Sequence, residues 1–493
     1  MSTSTSYASD LVAHQATAFH TSNLGGEARS AEGAQPLLGN IAESFGNPLL
    51  DRGASARRAE RYRVRDQLRR ITRDDRLKWC GAHSIRALGS VDVRRSAGPD
   101  GPVVGVSGLA SCGRWYSCPF CAARIAARRR EEIAQGVAAA VADGLVVAML
   151  TLTVRHKASD ALHTLLEALS AGWTAVGQDK AVRRLRKALG WVGYVRVLEM
   201  TFGLHGWHPH LHFLVFLDAS VAEGGWGEDA ETGAWRIDLF QLEALGQATL
   251  RSWKAGVTRL GLRSPNRHGM DLRVLAAPTE EVADYLTKMG AVEMSADTAE
   301  RVRSASFEMT GSMHKQGKAL PSGRVLSRTS WDVVRSAAEG AAAFVAGGEL
   351  VSAIERFWEL EEALKGRAMT VWSKGLKQRF CIGEQTDDAI VQEELSGPEA
   401  TVIGLPLEGV RRTQAKGWWH GLTSSVLRQG RAGGAAFCDR HGIEWLEPDD
   451  PTLIADRVYR QWHGESGWWA AQDMARAIHE QRAVAAACGD RAP

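Results

Sequence analysis

A chain of 493 residues is too long for one compact core, so about two or three domains are expected. With 44% hydrophobic and 24% charged residues it has the make-up of a soluble globular protein, and a formal net charge of +3 leaves the nature of any partner open. No apolar run reaches membrane-spanning length, "MSTSTSYASDLVAHQ" lacks a signal peptide's basic start and apolar core, and seven cysteines over this length suit a metal site better than a disulfide scaffold. A cytoplasmic protein with no membrane contact is the expectation.

Residues 1–50, rich in Ser, Ala, Gly and Asn, read as a disordered tail. Residues 51–140 read as a basic, zinc-binding module. Arginines crowd Asp51 to Lys78 and recur in "ARIAARRR", Ala123 to Arg130, and "VRRLRK", Val182 to Lys187. Such runs are usually solvated helix faces, and some contact nucleic acid. Within the module, "CGRWYSCPFC" holds Cys112, Cys118 and Cys121. The Cys118–Cys121 knuckle has zinc-ligand spacing, and Cys80 in "KWCGAH" offers a fourth thiolate, with His83 as the substitute. Zn²⁺ on these four cysteines would staple two segments around a loop. The bland alternative is small buried residues without metal. A redox role is disfavoured because no thioredoxin-like βαβ pattern surrounds the motif. A basic helix after the module would suit docking on duplex or hairpin DNA. Cys381, Cys438 and Cys488 are scattered and read as inert.

From about residue 145 strand and helix signals alternate. "LVVAMLTLTV", Leu145 to Val154, reads as a buried strand, and Ser159 to Trp173 as a helix. Trp191 to Thr201 and "GWHPHLHFLVFL", Gly206 to Leu217, read as two strands of a hairpin. Leu242 to Val257 is helical, Asp271 to Ala277 a short strand, and Pro278 to Gly290 a short helix capped by Thr279 and ended by Gly290. The order β-α-β-β-α-β-α implies an α+β fold, an antiparallel sheet carrying helices. Beyond residue 320 the chain turns mostly helical: an extension over 321–395 with an amphipathic helix at Ser352 to Arg367, then a linker at Ser396 to Gly409 and an accessory helical domain to residue 493. The Trp pairs of that last piece are more often core than DNA contacts. No Walker A motif exists, so the chain does not power its own DNA unwinding: "GSMHKQGKA" has the wrong spacing.

Side chains alternate along a strand, so His208, His210 and His212 share one face. Three buried imidazoles at period two need partners, and a shared metal supplies them better than a run of core histidines does. Glu199, on the preceding strand, stands near His210 or His212 and can add a carboxylate; its ordinary reading is a partner of Arg196. Two imidazoles and a carboxylate leave positions open for substrate oxygens and suit Mg²⁺ or Mn²⁺ acting on a phosphate. Whether His208 or Glu199 completes the set stays open. Downstream, "EEVADYLTK" puts Glu281, Tyr285 and Lys288 on one helical face. A tyrosyl oxygen is a workable nucleophile toward a polarised phosphate, Lys288 can hold that phosphate, and Glu281 can act as a base. On the helix alone, a surface charge pattern would be the simpler reading.

Together, "CGRWYSCPFC", "MLTLTV", "GWHPHLHFLVF" and "VADYLTK" resemble the HUH endonucleases, and in particular the plasmid rolling-circle initiators of the Rep_1 type, above all the actinobacterial ones. The resemblance covers residues of about 75 to 380. It implies a ferredoxin-like HUH nuclease domain over 145–320, metal on His210 and His212, and attack on DNA by Tyr285. The product would be a 5′-phosphotyrosine and a free 3′-OH that primes synthesis. It also implies origin DNA as substrate, single-stranded or hairpin at the nick, and a host helicase and DNA polymerase as partners. The tyrosine follows the histidines, which is the order of initiators and transposases rather than relaxases. With Glu at 281 and Met at 289, a single-tyrosine cycle is implied, with Glu281 activating water at termination. The alternatives are an HUH transposase of an insertion element, a metal-dependent hydrolase whose HxH strand opens a barrel, and a zinc-dependent DNA-binding regulator.

Overall fold

The computed structural model describes residues 52–98, 101–224, 226–228, 235–276, 327–340, 344–346, 349–392 and 400–462. The expected tail (1–50) and the expected Glu281–Tyr285–Lys288 helix therefore lie outside the described residues, as do Cys488 and the second Trp-rich piece.

The alternating segment forms the central sheet. Its strands are β3 (Val146–Thr153), β4 (Trp191–Gly203), β5 (Gly206–Leu217) and β6 (Met270–Ala276). They are numbered after an N-terminal pair, β1 (Val91–Gly98) and β2 (Gly101–Ser107). All neighbours are antiparallel, in the order β4-β5-β3-β6, and two short strands extend the β4 edge: β7 (Ser327–Thr329) and β8 (Thr370–Trp372). The first and third strands of this β-α-β-β-α-β unit thus lie side by side in the middle. An open antiparallel sheet contradicts the barrel of repeated parallel βα units that the hydrolase alternative requires.

Strand parity decides what each face does. Helices Leu162–Gln178 and Leu239–Thr258 take the face carrying Leu211, Phe213 and Val215. Trp173 stacks 4.2 Å from Phe213, and Trp253 Nε1 donates to the Thr153 carbonyl. The two helices cross closely: a Cβ on Gly256 would come within 2.6 Å of Gly172 Cα, so neither glycine has room for a side chain. Burying Phe213 alone contributes about 1.5–3 kcal/mol. On the other face, Phe216 packs edge-on against Phe380, which covers the sheet's apolar end and leaves the end bearing the histidines for chemistry.

Three expectations change. The helix expected from Ser159 begins at Leu162 with Ala161 as its cap residue; Glu359 accepts from Leu162 N in place of a local cap. Ser396–Gly409 is not simply a linker, because β9 (Ala400–Leu405) pairs with β1 in a three-stranded sheet of order β9-β1-β2. Buried Asp456 accepts from Leu88 N and Ser90 N, and Arg457 pairs with Asp92. The accessory region is thus built jointly from residues near 84–107 and 400–457, and a boundary at 396 cuts through it. Last, the Ala123–Arg130 run is no free DNA-facing surface. It sits in the helix Pro119–Ala142, where Arg129 binds Glu132 and Asp387, Arg124 donates to the Val391 carbonyl and Arg128 donates to Gln385.

Candidate active site and cysteine cluster

The β4–β5 hairpin turns at Leu204–His205, with Gly203 paired to Gly206, whose φ of 80° favours glycine. This register opposes Thr201 to His208, Glu199 to His210 and Val197 to His212, while β3 sets Thr153 against His210 and Thr151 against His212. Pairing with β3 reaches only to His210, so Pro209 interrupts no ladder on that side.

Glu199, His210 and His212 converge, with ligand-type atoms of all three within 4.8 Å of one another. His212 Nε2–H donates to Glu199 Oε2 at 2.9 Å, and on the ring's far side Thr151 Oγ1 lies 3.1 Å from Nδ1. The carboxylate fixes the tautomer, so the Thr151 hydroxyl donates to Nδ1. Two neighbouring ligands of an octahedral Mg²⁺ or Mn²⁺ stand about 3 Å apart, which matches the Nε2–Oε2 separation. With a cation on Nε2, the ring proton would sit on Nδ1 and donate to Thr151 Oγ1. The donor set therefore fits such an ion, and the converging group includes Glu199 and not His208. Glu199 binds imidazole and not Arg196: antiparallel register sends the 196 and 199 side chains to opposite faces.

His208 stands outside that group although its ring touches it: it lies 4.6 Å from His210 and 4.8 Å from His156, whose Nδ1–H donates to the His205 carbonyl. Burial and then the neighbouring His156 push His208 down to about 4, so its imidazole is neutral at physiological pH. Sequence reasoning missed Thr151, His156 and Asp271, which is paired to Thr151 and so shares the histidine face. Thr151 and Thr153 left a signal: two hydroxyls at period two inside an otherwise apolar strand.

The four cysteines also meet. Cys80 Sγ lies 3.5 Å from Cys118 and 3.6 Å from Cys121, and Cys112 Sγ lies 3.6 Å from Cys121. All four are free thiols and buried. Disulfide sulfurs would stand about 2.05 Å apart, whereas sulfurs around a tetrahedral Zn²⁺ stand about 3.8 Å apart. The cluster fits a metal and not a disulfide. Hydrogen bonds from Cys112, Cys118 and Cys121 hold the Cys80 thiol down, while burial pushes Cys112 and Cys118 up. His83 is not in the group; its ring packs on Trp79.

Residues 108–242 match the family model Rep_1, described as "Replication protein". A Streptomyces lividans protein named "Protein rep" is 28% identical over 397 residues, which is 72% of this chain and 79% of the relative. A Streptomyces cyanogenus "Neomycin resistance protein" is 31% identical over 153 residues, 26% of this chain and 35% of that protein. No solved structure matches.

Proposed function

Because the chain is a replication protein of the Rep_1 type, we propose that it initiates rolling-circle replication of a plasmid by nicking one strand at the origin and later religating it. The observation that supports this reading is the Glu199–His210–His212 group, gathered on one face of an antiparallel sheet of β-α-β-β-α-β order. Bound there, Mg²⁺ or Mn²⁺ supplies Lewis-acid polarisation of the scissile phosphate. Tyr285 Oη attacks phosphorus, the P–O3′ bond breaks, and the tyrosyl oxygen becomes the 5′-phosphate ester. The leaving oxygen takes a proton and becomes the 3′-OH primer, which a host DNA polymerase extends behind a host helicase. Lys288 steadies the phosphate. Zn²⁺ on Cys80, Cys112, Cys118 and Cys121 holds the segment around Cys80 against the one that starts the helix Pro119–Ala142. The protein acts in the cytoplasm; among the described residues, no helix is long and apolar enough to cross a membrane.

Supercoiled plasmid carrying its origin tests the reading. One site-specific nick is expected, and cutting confined to the ends of a mobile element would favour a transposase instead. Glu281→Ala should leave the first nick within about threefold of wild type and slow termination about 10²–10⁴-fold, the range lost with a general base; time courses on a two-origin plasmid read both steps. Thr151→Val should weaken Mn²⁺ binding about 10–100-fold, as loss of an outer-shell partner does. Calorimetric titration checks this, and unchanged affinity would show that the hydroxyl does not orient His212.

A further inference from the structure

The helix that precedes the cysteine module, Arg52–Ile71, brings two arginines to the thiol cluster. Arg65 is the unusual one. Its side chain is 5% exposed, and its Nε and Nη2 are buried without a hydrogen-bond partner. The nearest carboxylate, Asp66, stands 4.0 Å from Nε and is taken at 2.7 Å by Arg69. Arg65 is held over the rings of Tyr62 and Phe120, at 5.1 and 4.5 Å. It also lies against Gly81, beside Cys80, where an added methyl would collide with Nη1. Arg69 donates Nη2 to the Cys80 carbonyl.

A buried guanidinium with unmet donors costs several kcal/mol unless an anion compensates it. Neutral thiols do not. When four thiols give up four protons to one Zn²⁺, the product carries a net charge of −2, and its sulfurs accept hydrogen bonds.

We infer that Arg65 is the counter-cation of a metal–tetrathiolate centre, with Arg69 fixing the Cys80 loop, so that metal loading locks the Arg52–Ile71 helix onto the cysteine module. Arg65 is a positioning residue, and the inference rests on reading the four cysteines as a Zn²⁺ site. It accounts for two features at once: a buried guanidinium whose nearest carboxylate is taken by Arg69, and the glycine beside Cys80 that clears its approach.

The test uses the full chain, zinc-loaded and zinc-stripped under reductant, as wild type, Arg65→Gln and Arg65→Lys. Zinc affinity is read by chelator competition, Tm in both forms, and amide exchange of residues 62–71 on the wild type. Arg65→Gln should bind zinc about 10–100-fold more weakly, with Arg65→Lys recovering most of the loss. The glutamine variant should melt lower than wild type when loaded and no lower when stripped. Zinc removal should speed exchange at residues 62–71, a readout that stands even where a variant does not fold. Equal zinc affinities, an equal drop in Tm in both forms, or exchange indifferent to zinc would each overturn the role of Arg65. A wild-type chain that takes up neither zinc nor cobalt would overturn the metal reading itself, and the inference with it.

Discussion

Tyr285→Phe is expected to bind origin DNA as the wild type does and to leave it uncut. The substitution removes one oxygen, and in the proposed cycle that oxygen forms the new ester bond. No second tyrosine stands four residues to either side in the sequence, where position 281 is Glu and position 289 is Met. Loss of a covalent nucleophile costs on the order of 10⁴–10⁶ in rate, so nicking should fall to background. The protein–DNA band on a denaturing gel should vanish, while gel-shift affinity stays within about twofold. A fully active Phe variant would remove Tyr285 from the mechanism. Failure of the variant to bind DNA would make its role structural.

The second large effect is expected from His212→Ala. His212 is 5% exposed and sits between Glu199 and Thr151, so the change removes a proposed metal donor and the imidazole that donates to a buried carboxylate. Losing that partner costs about 1–3 kcal/mol of stability, and nicking in Mg²⁺ or Mn²⁺ should drop about 10³-fold or more, the scale of losing Lewis-acid stabilisation. The two consequences separate by melting. Mn²⁺ should raise Tm of the wild type and leave that of His212→Ala unmoved. Wild-type activity in the variant, or an equal Mn²⁺ shift in both, would place the ion elsewhere. Glu199→Gln should behave alike but milder, because a neutral amide can still accept from Nε2.

Much of the site was legible because its signal is local. Alternation in β5 puts three histidines on one face whatever surrounds them, and a short hairpin brings Glu199 opposite His210. What separates His208 from the other two is not written in β5. Its neighbour across the hairpin is Thr201, not an acid, and besides His210 its ring meets His156, which comes from the loop after β3. The Cys118–Cys121 knuckle was likewise readable, while Arg65 was one arginine in a run of many until burial set it apart from its exposed neighbours Arg57 and Arg63.

The β-α-β-β-α-β order was legible from periodicity, and the sheet order followed only from pairing. The errors have a common cause, which is distance along the chain. β9 finds its partner in β1 across some three hundred residues, so its flanking Gly and Pro looked like linker chemistry. The arginines of 123–130 find Gln385, Asp387 and Val391, so a run that looked available to DNA is spent inside the protein.

The proposed cycle is defined by the bond made to DNA. Wild-type protein is incubated with Mn²⁺ and single-stranded origin oligonucleotide, the covalent product is digested, and the modified peptide is mapped by mass spectrometry. The expected result is a 5′-phosphate ester on Tyr285, a released strand ending in 3′-OH, and neither when Mn²⁺ is chelated. Cleavage without an adduct, or an adduct on another residue, would contradict it.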